Sequence, residues 1–331
     1  MAENSAIEWT HHTFNPWIGC TKVGPGCDNC YAADLATVRL GVKWGAGEDR
    51  RHTAASTWKQ PRAWNRKAEA AGTRYRVFCA SLADVFDNEV PAEWRADLFQ
   101  LIRETPHLDW LLVTKRIGNA AKMALAAGGW PGNVWLGITV VNQAEASRDV
   151  PKLLAVDVGV RFLSVEPLLG PIDLTEVSDT STALDPECWG DCACDSLYGR
   201  DPGCRRNGGD GGLKRKIDWV IVGGESGPLA RPMHPDWARS LRDQCANAGV
   251  PFLFKQWGEH LTIFDRDIED PDWRRCGHWE REYPKGRWWN LAGGTGFHGE
   301  RVVYVDRVGK KAAGRLLDGV QHDGYPEGAS A

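Results

Sequence analysis

The feature that most narrows the fold is a series of apolar runs of strand length in which nearly every position, rather than every second one, is hydrophobic. They stand at 75–80 (YRVFCA), 110–114 (WLLVT), 134–140 (VWLGITV), 161–165 (RFLSV), 219–222 (WVIV) and 251–254 (PFLF). Continuous hydrophobicity is what a strand buried on both faces requires, as in a parallel sheet covered by helices. The stretches 91–104, 117–128, 143–155 and 235–249 lie between these runs and read as helices, several bounded by Gly or Pro. Alternating strand and helix predicts βαβ units and a parallel sheet. A first strand is expected near 7–10, or as a short and irregular segment.

The polar residues at the carboxyl end of each run decide between an open sheet and a barrel. Ser81 and Asp84 come after the first, then Lys115 and Arg116, Thr139 and Asn142, Glu166, Glu225 and Ser226, and Lys255 with Gln256. The carboxyl ends of parallel strands face the ligand, and a barrel lets them converge on one mouth where an open sheet would spread them out. The expected fold is therefore α/β, a partial or full (β/α) barrel over 1–260. Residues 173–216, rich in Asp, Gly and Cys with little periodicity, read as an insertion. Residues 261–331, rich in Trp and Arg, form a C-terminal extension expected to pack on the barrel.

The net charge of -4 does not by itself point to nucleic acid, so the distribution of charge matters more than its sum. No apolar run is long enough to span a membrane, and the first residues are too polar for a secretory signal, so the expected location is the cytoplasm. Ten cysteines in a reducing compartment read as ligands or reactive groups rather than disulfides. Seven fall in two short groups; Cys79, Cys245 and Cys276 stand apart and read as buried structural thiols.

The sharpest signal is the loop at 15–31, NPWIGCTKVGPGCDNCY. Cys27 and Cys30 form a C-x-x-C turn whose thiolates can grip one metal centre, and the Gly24-Pro25-Gly26 bend lets Cys20 join them. Three thiolates leave one position of a four-iron cluster free of protein, and an open position is what separates a catalytic centre from a closed structural one. The alternative is structural zinc completed by a remote His11, His12 or Cys79.

Together with 112–116 (LVTKR), 135–140 (WLGITV), 164–170 (SVEPLLG), 223–227 (GGESG) and 254–258 (FKQWG), this loop resembles a phage-encoded family of three-Cys-motif proteins. That family is similar to radical S-adenosylmethionine enzymes, with spore photoproduct lyase among its nearer characterised relatives. The resemblance implies a radical-SAM-like barrel with a 4Fe-4S cluster on Cys20, Cys27 and Cys30, and S-adenosyl-L-methionine on the fourth iron. It further implies a reductant protein, a family-associated partner protein, and hydrogen abstraction by a 5'-deoxyadenosyl radical. Radical enzymes usually space these cysteines C-x3-C-x2-C, whereas six residues separate Cys20 from Cys27.

If the cofactor is S-adenosylmethionine, Asp84, Glu166 and Glu225 suit its ammonium and sulfonium groups. Lys115, Arg116 or Lys255 suits its carboxylate, and Thr139 and Asn142 its ribose, with Ser81 at the same mouth. Glu166, Glu225 and Lys255 are the candidate catalytic groups. Two carboxylates at neighbouring strand ends equally suit a barrel hydrolase or nuclease, although neither H-E-x-x-H nor G-x-S-x-G is present.

Within the insertion, Cys188, Cys192, Cys194 and Cys204 read as a second metal site, either an auxiliary cluster or zinc. Between Lys43 and Arg76 nine Lys or Arg stand against three acids, with Trp44, Trp58, Trp64 and Tyr75 interleaved, and 273–289 repeats the mixture. Cations for phosphates and rings for bases are what a nucleic-acid groove needs, which makes Arg62, Arg66, Lys67, Arg274, Arg275 and Trp288 the candidate contacts. The competing reading places these rings in the core, with arginines stacked on them. The expected function is thus a radical SAM-like iron-sulfur enzyme acting on nucleic acid, set against a noncatalytic nucleic-acid-binding protein with structural metal.

Overall fold

The computed structural model describes residues 2–177, 182–184, 216–265, 277–296 and 300–326. In chain order the strands are β1 (Ala2–Glu3), β2 (His12–Phe14), β3 (Trp17–Ile18), β4 (Arg51–His52), β5 (Tyr75–Cys79), β6 (Leu108–Thr114), β7 (Val134–Thr139), β8 (Val160–Val165), β9 (Trp219–Gly223), β10 (Phe252–Gln256), β11 (His260–Asp265), β12 (Arg287–Asn290) and β13 (Val302–Arg307). The helices are α1 (Tyr31–Asp34), α2 (Ala55–Trp58), α3 (Gln60–Ala70), α4 (Ala92–Arg103), α5 (Ile117–Ala126), α6 (Gln143–Leu154), α7 (Pro235–Asn247), α8 (Gly277–Glu282) and α9 (Lys310–Ala313). The main sheet runs β1-β2-β5-β6-β7-β8-β9-β10. Seven of its strands are parallel and only the short β1 is antiparallel. The result is an α/β half-barrel, a sheet that curls without pairing its two edges.

Both faces of the sheet are apolar, as the sequence runs require. Outward residues such as Val77, Trp110, Leu112, Leu136, Leu163, Val220 and Phe254 pack under the helices in the main core. Inward residues Leu111, Trp135, Phe162, Trp219, Ile221 and Leu253 form a second cluster on the concave side, and Trp9 completes it. Each buried aromatic of this size contributes on the order of 5 kcal/mol of gross transfer free energy.

The helices begin where local chemistry satisfies their free N–H groups. Asn142 Oδ1 accepts from Glu145 N at 3.0 Å while the Glu145 carboxylate accepts from Val141 N at 3.1 Å, a reciprocal cap at the start of α6. Pro235 opens α7, and Gly249, with φ of 62°, closes it.

Residues 7–10 are not the first parallel strand; that role falls to β2, four residues later. Trp9 is needed inside the curl, where it meets Trp219 edge-on at 6.4 Å and Phe78 at 4.6 Å. Tyr325 locks this inserted segment from the other end of the chain, donating its hydroxyl to Glu8 O at 2.9 Å. Beyond β10, β11, β13 and β12 form a small antiparallel sheet, and the chain then returns along the barrel edge, where Phe254 N donates to His322 O at 3.0 Å. Among the described residues no helix is long and apolar enough to cross a membrane.

Two predictions come from this packing. A Cβ at Gly224 would lie 1.9 Å from the backbone oxygen of Trp257, whereas one at Gly118 in α5 meets nothing within 4 Å. Gly224→Ala is therefore expected to lower unfolding free energy by about 3–4 kcal/mol, and Gly118→Ala to leave it level or raise it by up to about 1 kcal/mol, by urea denaturation.

The His12 ring stacks on Trp64 at 4.4 Å, accepts from Asn4 N through Nδ1, and leaves Nε2 buried without a partner. Burial, aided by His11, pushes its pKa down from 6.5 to about 4. The unfolded chain thus takes up this proton first, so the contribution is full above pH 6.5 and is lost as pH falls toward 4. His12→Phe should shrink the difference in unfolding free energy between about pH 7 and pH 5 by up to about 2 kcal/mol. Unchanged pH dependence would contradict this.

Candidate metal centre and barrel mouth

The carboxyl ends of the parallel strands open on one cavity of about 470 Å³. The cysteine loop forms one of its walls. After β3 the chain passes Cys20, tightens into a helical turn at Pro25–Cys27, and reaches Cys30, which caps α1. Cys20, Cys27 and Cys30 all line the cavity, whereas Cys79 and Cys245 are buried elsewhere; all five are free thiols. Among the described residues, no three His, Cys, Asp or Glu side chains stand together as ligands of a single ion.

Two arginines hold this loop from opposite sides. Arg116 donates to Cys20 Sγ at 3.3 Å, to Thr21 O at 2.7 Å and to Asp84 Oδ2 at 3.1 Å. Asp84 is itself buried and accepts from Thr114 Oγ1 and Lys115 N, so the strut is anchored in the end of β6. Burial pushes the Cys20 thiol up to about 11 against the pull of the Arg116 guanidinium. A bound metal reverses that preference, because a coordinating thiol is deprotonated outright.

On the other side Arg231 donates to both oxygens of Glu225 at 2.8 and 2.6 Å, to Asp28 Oδ2 at 3.1 Å and to Pro25 O at 2.9 Å. Asn29 of the loop joins the same carboxylate at 3.1 Å and reaches Leu229 O at 2.8 Å. Burial works against ionised Glu225, but the Arg231 and Asn29 donors outweigh it and hold the carboxyl below its usual range.

Deeper in, Lys255 Nζ lies 2.9 Å from Glu166 Oε1. Burial alone would depress the Lys255 ammonium, yet Glu166 outweighs it and raises the pKa. Lys115 donates to Thr139 Oγ1 at 3.2 Å. Glu8, Trp9 and Tyr31 complete the lining, with Oε2 of Glu8 buried and without a hydrogen-bond partner. Nothing in the sequence marks Glu8 or Arg231. The first lies on an inserted segment, and the second acts only because tertiary folding carries it to a loop about 200 positions away.

Of the residues picked out in the sequence, Ser81, Asp84, Lys115, Arg116, Thr139, Glu166 and Lys255 meet around the cavity together with the three cysteines. Asn142 and Glu225 do not line it. Asn142 serves as the cap of α6, and Glu225 is occupied by Arg231. Arg116 already has Asp84 and Cys20 as partners.

Several groups of the basic aromatic stretches have partners within the chain. Arg62 pairs with Glu104 at 3.0 Å, Lys67 pairs with Glu3, and only Arg66 of these three α3 residues stands exposed without a described partner. Trp64 is core. The Trp288 ring sits 4.9 Å from Tyr304 and its N–H donates to Glu280. Arg274, Arg275, Cys188, Cys192, Cys194 and Cys204 lie outside the described residues.

Among solved structures, the chain is similar to two mutants of spore photoproduct lyase. One carries cysteine-to-alanine and serine-to-cysteine changes and has bound AdoMet and dinucleoside spore photoproduct; it is 12% identical, with a TM-score of 0.35. The other carries a cysteine-to-serine change and is 14% identical, also with a TM-score of 0.35. Each match covers 90% of this chain and 69% of the other. No curated protein matches. A family model, described as "Protein of unknown function (DUF5131)", matches residues 4–326, and the chain therefore belongs to that family.

Proposed function

We propose that the protein is a radical S-adenosylmethionine-like iron-sulfur enzyme that acts on nucleic acid. The observation that carries this reading is that Cys20, Cys27 and Cys30, from one loop, line a single cavity into which no other cysteine and no histidine projects among the described residues. A lone zinc would draw its thiolates to within about 3.8 Å of one another, whereas a cluster lets each cysteine take a different iron. The likeness of the loop and its companion blocks to three-Cys-motif proteins supports the same reading.

Cys20, Cys27 and Cys30 would hold the 4Fe-4S cluster. With S-adenosyl-L-methionine bound and one electron delivered by a reductant protein, the pair would supply radical chemistry, the cofactor parting into methionine and a 5'-deoxyadenosyl group that takes a hydrogen atom from the substrate. The chain's own residues bind and orient. Lys115, beside Thr139, would take a carboxylate, and Glu8, whose Oε2 is buried without a partner, a cationic group, while Glu166 is paired with Lys255. Arg116 supports Cys20 rather than a cofactor carboxylate, and the donor to its sulfur favours the charged thiolate. The two-carboxylate hydrolase loses its pair, because Glu225 is tied to Arg231 outside the cavity.

Anaerobic reconstitution should give broad visible absorption that bleaches with dithionite, and addition of S-adenosylmethionine should then yield 5'-deoxyadenosine. Cys27→Ala should abolish both signals and Cys245→Ala neither. Full zinc occupancy with substoichiometric iron after anaerobic purification would defeat the proposal.

The Arg231 clamp gives a second test. Arg231→Ala leaves Glu225 buried and unpaired, which is expected to cost about 3 kcal/mol of stability. Adding Glu225→Gln should restore most of that stability without restoring the clamp. The double variant is then expected to lose its cluster to a chelator about tenfold faster than the parent, measured as the decay of visible absorption.

A further inference from the structure

The cavity is more positive than its acidic chain would suggest. Five cations, Lys22, Lys115, Arg116, Lys255 and Lys310, line it with three carboxylates, Glu8, Asp84 and Glu166, in a protein of formal net charge -4. Two of the cations are neutralised locally, Arg116 by Asp84 at 3.1 Å and Lys255 by Glu166 at 2.9 Å. Lys22, Lys115 and Lys310 have no carboxylate partner among the described residues. Lys22 donates only to the backbone oxygen of Asp28, and Lys115 to the Thr139 hydroxyl.

These three lysines occupy different depths. Lys115 is half-buried at the end of β6, whereas Lys22 on the cysteine loop and Lys310 at the start of α9 are exposed. Lys310 belongs to the C-terminal segment, so that segment supplies part of the mouth. One small anionic cofactor group can occupy Lys115, leaving two solvent-facing cations at the rim. Two aromatic rings line the same cavity: Trp44, half-buried against the apolar cluster of Ile18, Ala32 and Val42, and Tyr31, 56% exposed. By contrast, the α3 cations Arg62 and Lys67 are already held by carboxylates.

We infer that the mouth of the cavity is a seat for a single-stranded phosphodiester segment, with phosphates on Lys22 and Lys310 and a base stacked at Trp44 or Tyr31 on its way inward. A concave cavity of about 470 Å³ admits a base taken out of its stack but not an intact duplex, and chemistry on a base requires that extrusion. Cations and flat rings lining one mouth are the two elements that hold single strands without regard to sequence. This inference names the substrate class for the site proposed above and rests on that reading for its biological meaning. The binding itself needs only the folded protein.

The test is fluorescence anisotropy of a labelled thymidine oligonucleotide with cluster-free full-length protein across a series of salt concentrations. Lys22→Glu/Lys310→Glu should weaken binding at least tenfold and flatten the slope of log affinity against log salt by about 1.4, two contacts at about 0.7 each for single strands. Lys310→Glu alone, distant in sequence from the cysteine loop, should lose about half that slope. Trp44→Ala/Tyr31→Ala, which removes both candidate rings, should weaken binding about tenfold at all salt concentrations. Arg66→Glu on α3 should change affinity by less than about twofold. An unlabelled duplex should compete poorly.

Unchanged affinity in Lys310→Glu, a larger loss from Arg66→Glu than from the rim lysines, equal competition by duplex, or no salt-dependent binding would each overturn the inference. Circular dichroism confirms that the variants are folded. Each of these failures would leave the cluster spectrum and the 5'-deoxyadenosine assay untouched, so loss of this inference and loss of the enzymatic reading are separately visible.

Discussion

The packing of Trp9 against Trp219 inside the curled sheet is the contact on which the rest of the architecture depends. An incomplete parallel barrel has a concave apolar face that must be removed from water, and no strand closes the gap between its edges. Here the chain's own ends do so, Trp9 from one side and Tyr325 from the other, with Trp135 and Phe162 packed around them. The plug fills the lower part of the bore and leaves the upper part open. The cavity is therefore a consequence of where the core stops.

Above that plug, ion pairs and a small apolar cluster of Ile18, Ala32, Ala36, Val42 and Leu82 together fix the cysteine loop. The loop contributes little to the main core, although Cys27 and the turn at Ala32 and Ala36 are buried. It is held from one side by Asp84 through Arg116, and from the other by Glu225 through Arg231. Both carboxylates sit just beyond strand ends, and both are buried, where a partnered ion pair resists loosening because breaking it strands a charge. The sheet thus sets the place of the loop through two arginines, and neither Asp84 nor Glu225 needs to touch a ligand to matter.

This division of labour explains why residues of similar type end in different roles. Glu166 and Glu225 follow neighbouring strands, yet Glu166 turns into the cavity beside Lys255 while Glu225 turns toward the loop. Lys115 and Arg116 are adjacent, yet the first faces Thr139 and the second Cys20. All four residues lie just past the ends of their strands, so the partner each one meets, rather than strand alternation, sets the surface its charge serves.

Much of the fold was legible in the sequence because burial on both faces leaves a mark that no side-chain detail can hide. The six apolar runs became β5 to β10 within two residues at each end, and the four helical stretches became α4 to α7. The three-cysteine loop was legible because closely spaced thiols carry their chemistry locally. The inserted Trp9 segment was not, since a tryptophan preceding a strand looks the same whether it begins that strand or fills a bore. The basic aromatic stretches were legible only as composition, which records how many cations and rings are present but not that Glu104 and Glu3 pair with Arg62 and Lys67. Sequence alone determined the parallel sheet and the grouping of thiols, because both rest on local pattern. Tertiary structure alone decided which charges remain free at the mouth, because neutralisation depends on partners brought together from distant parts of the chain, such as Arg116 with Asp84 and Lys255 with Glu166.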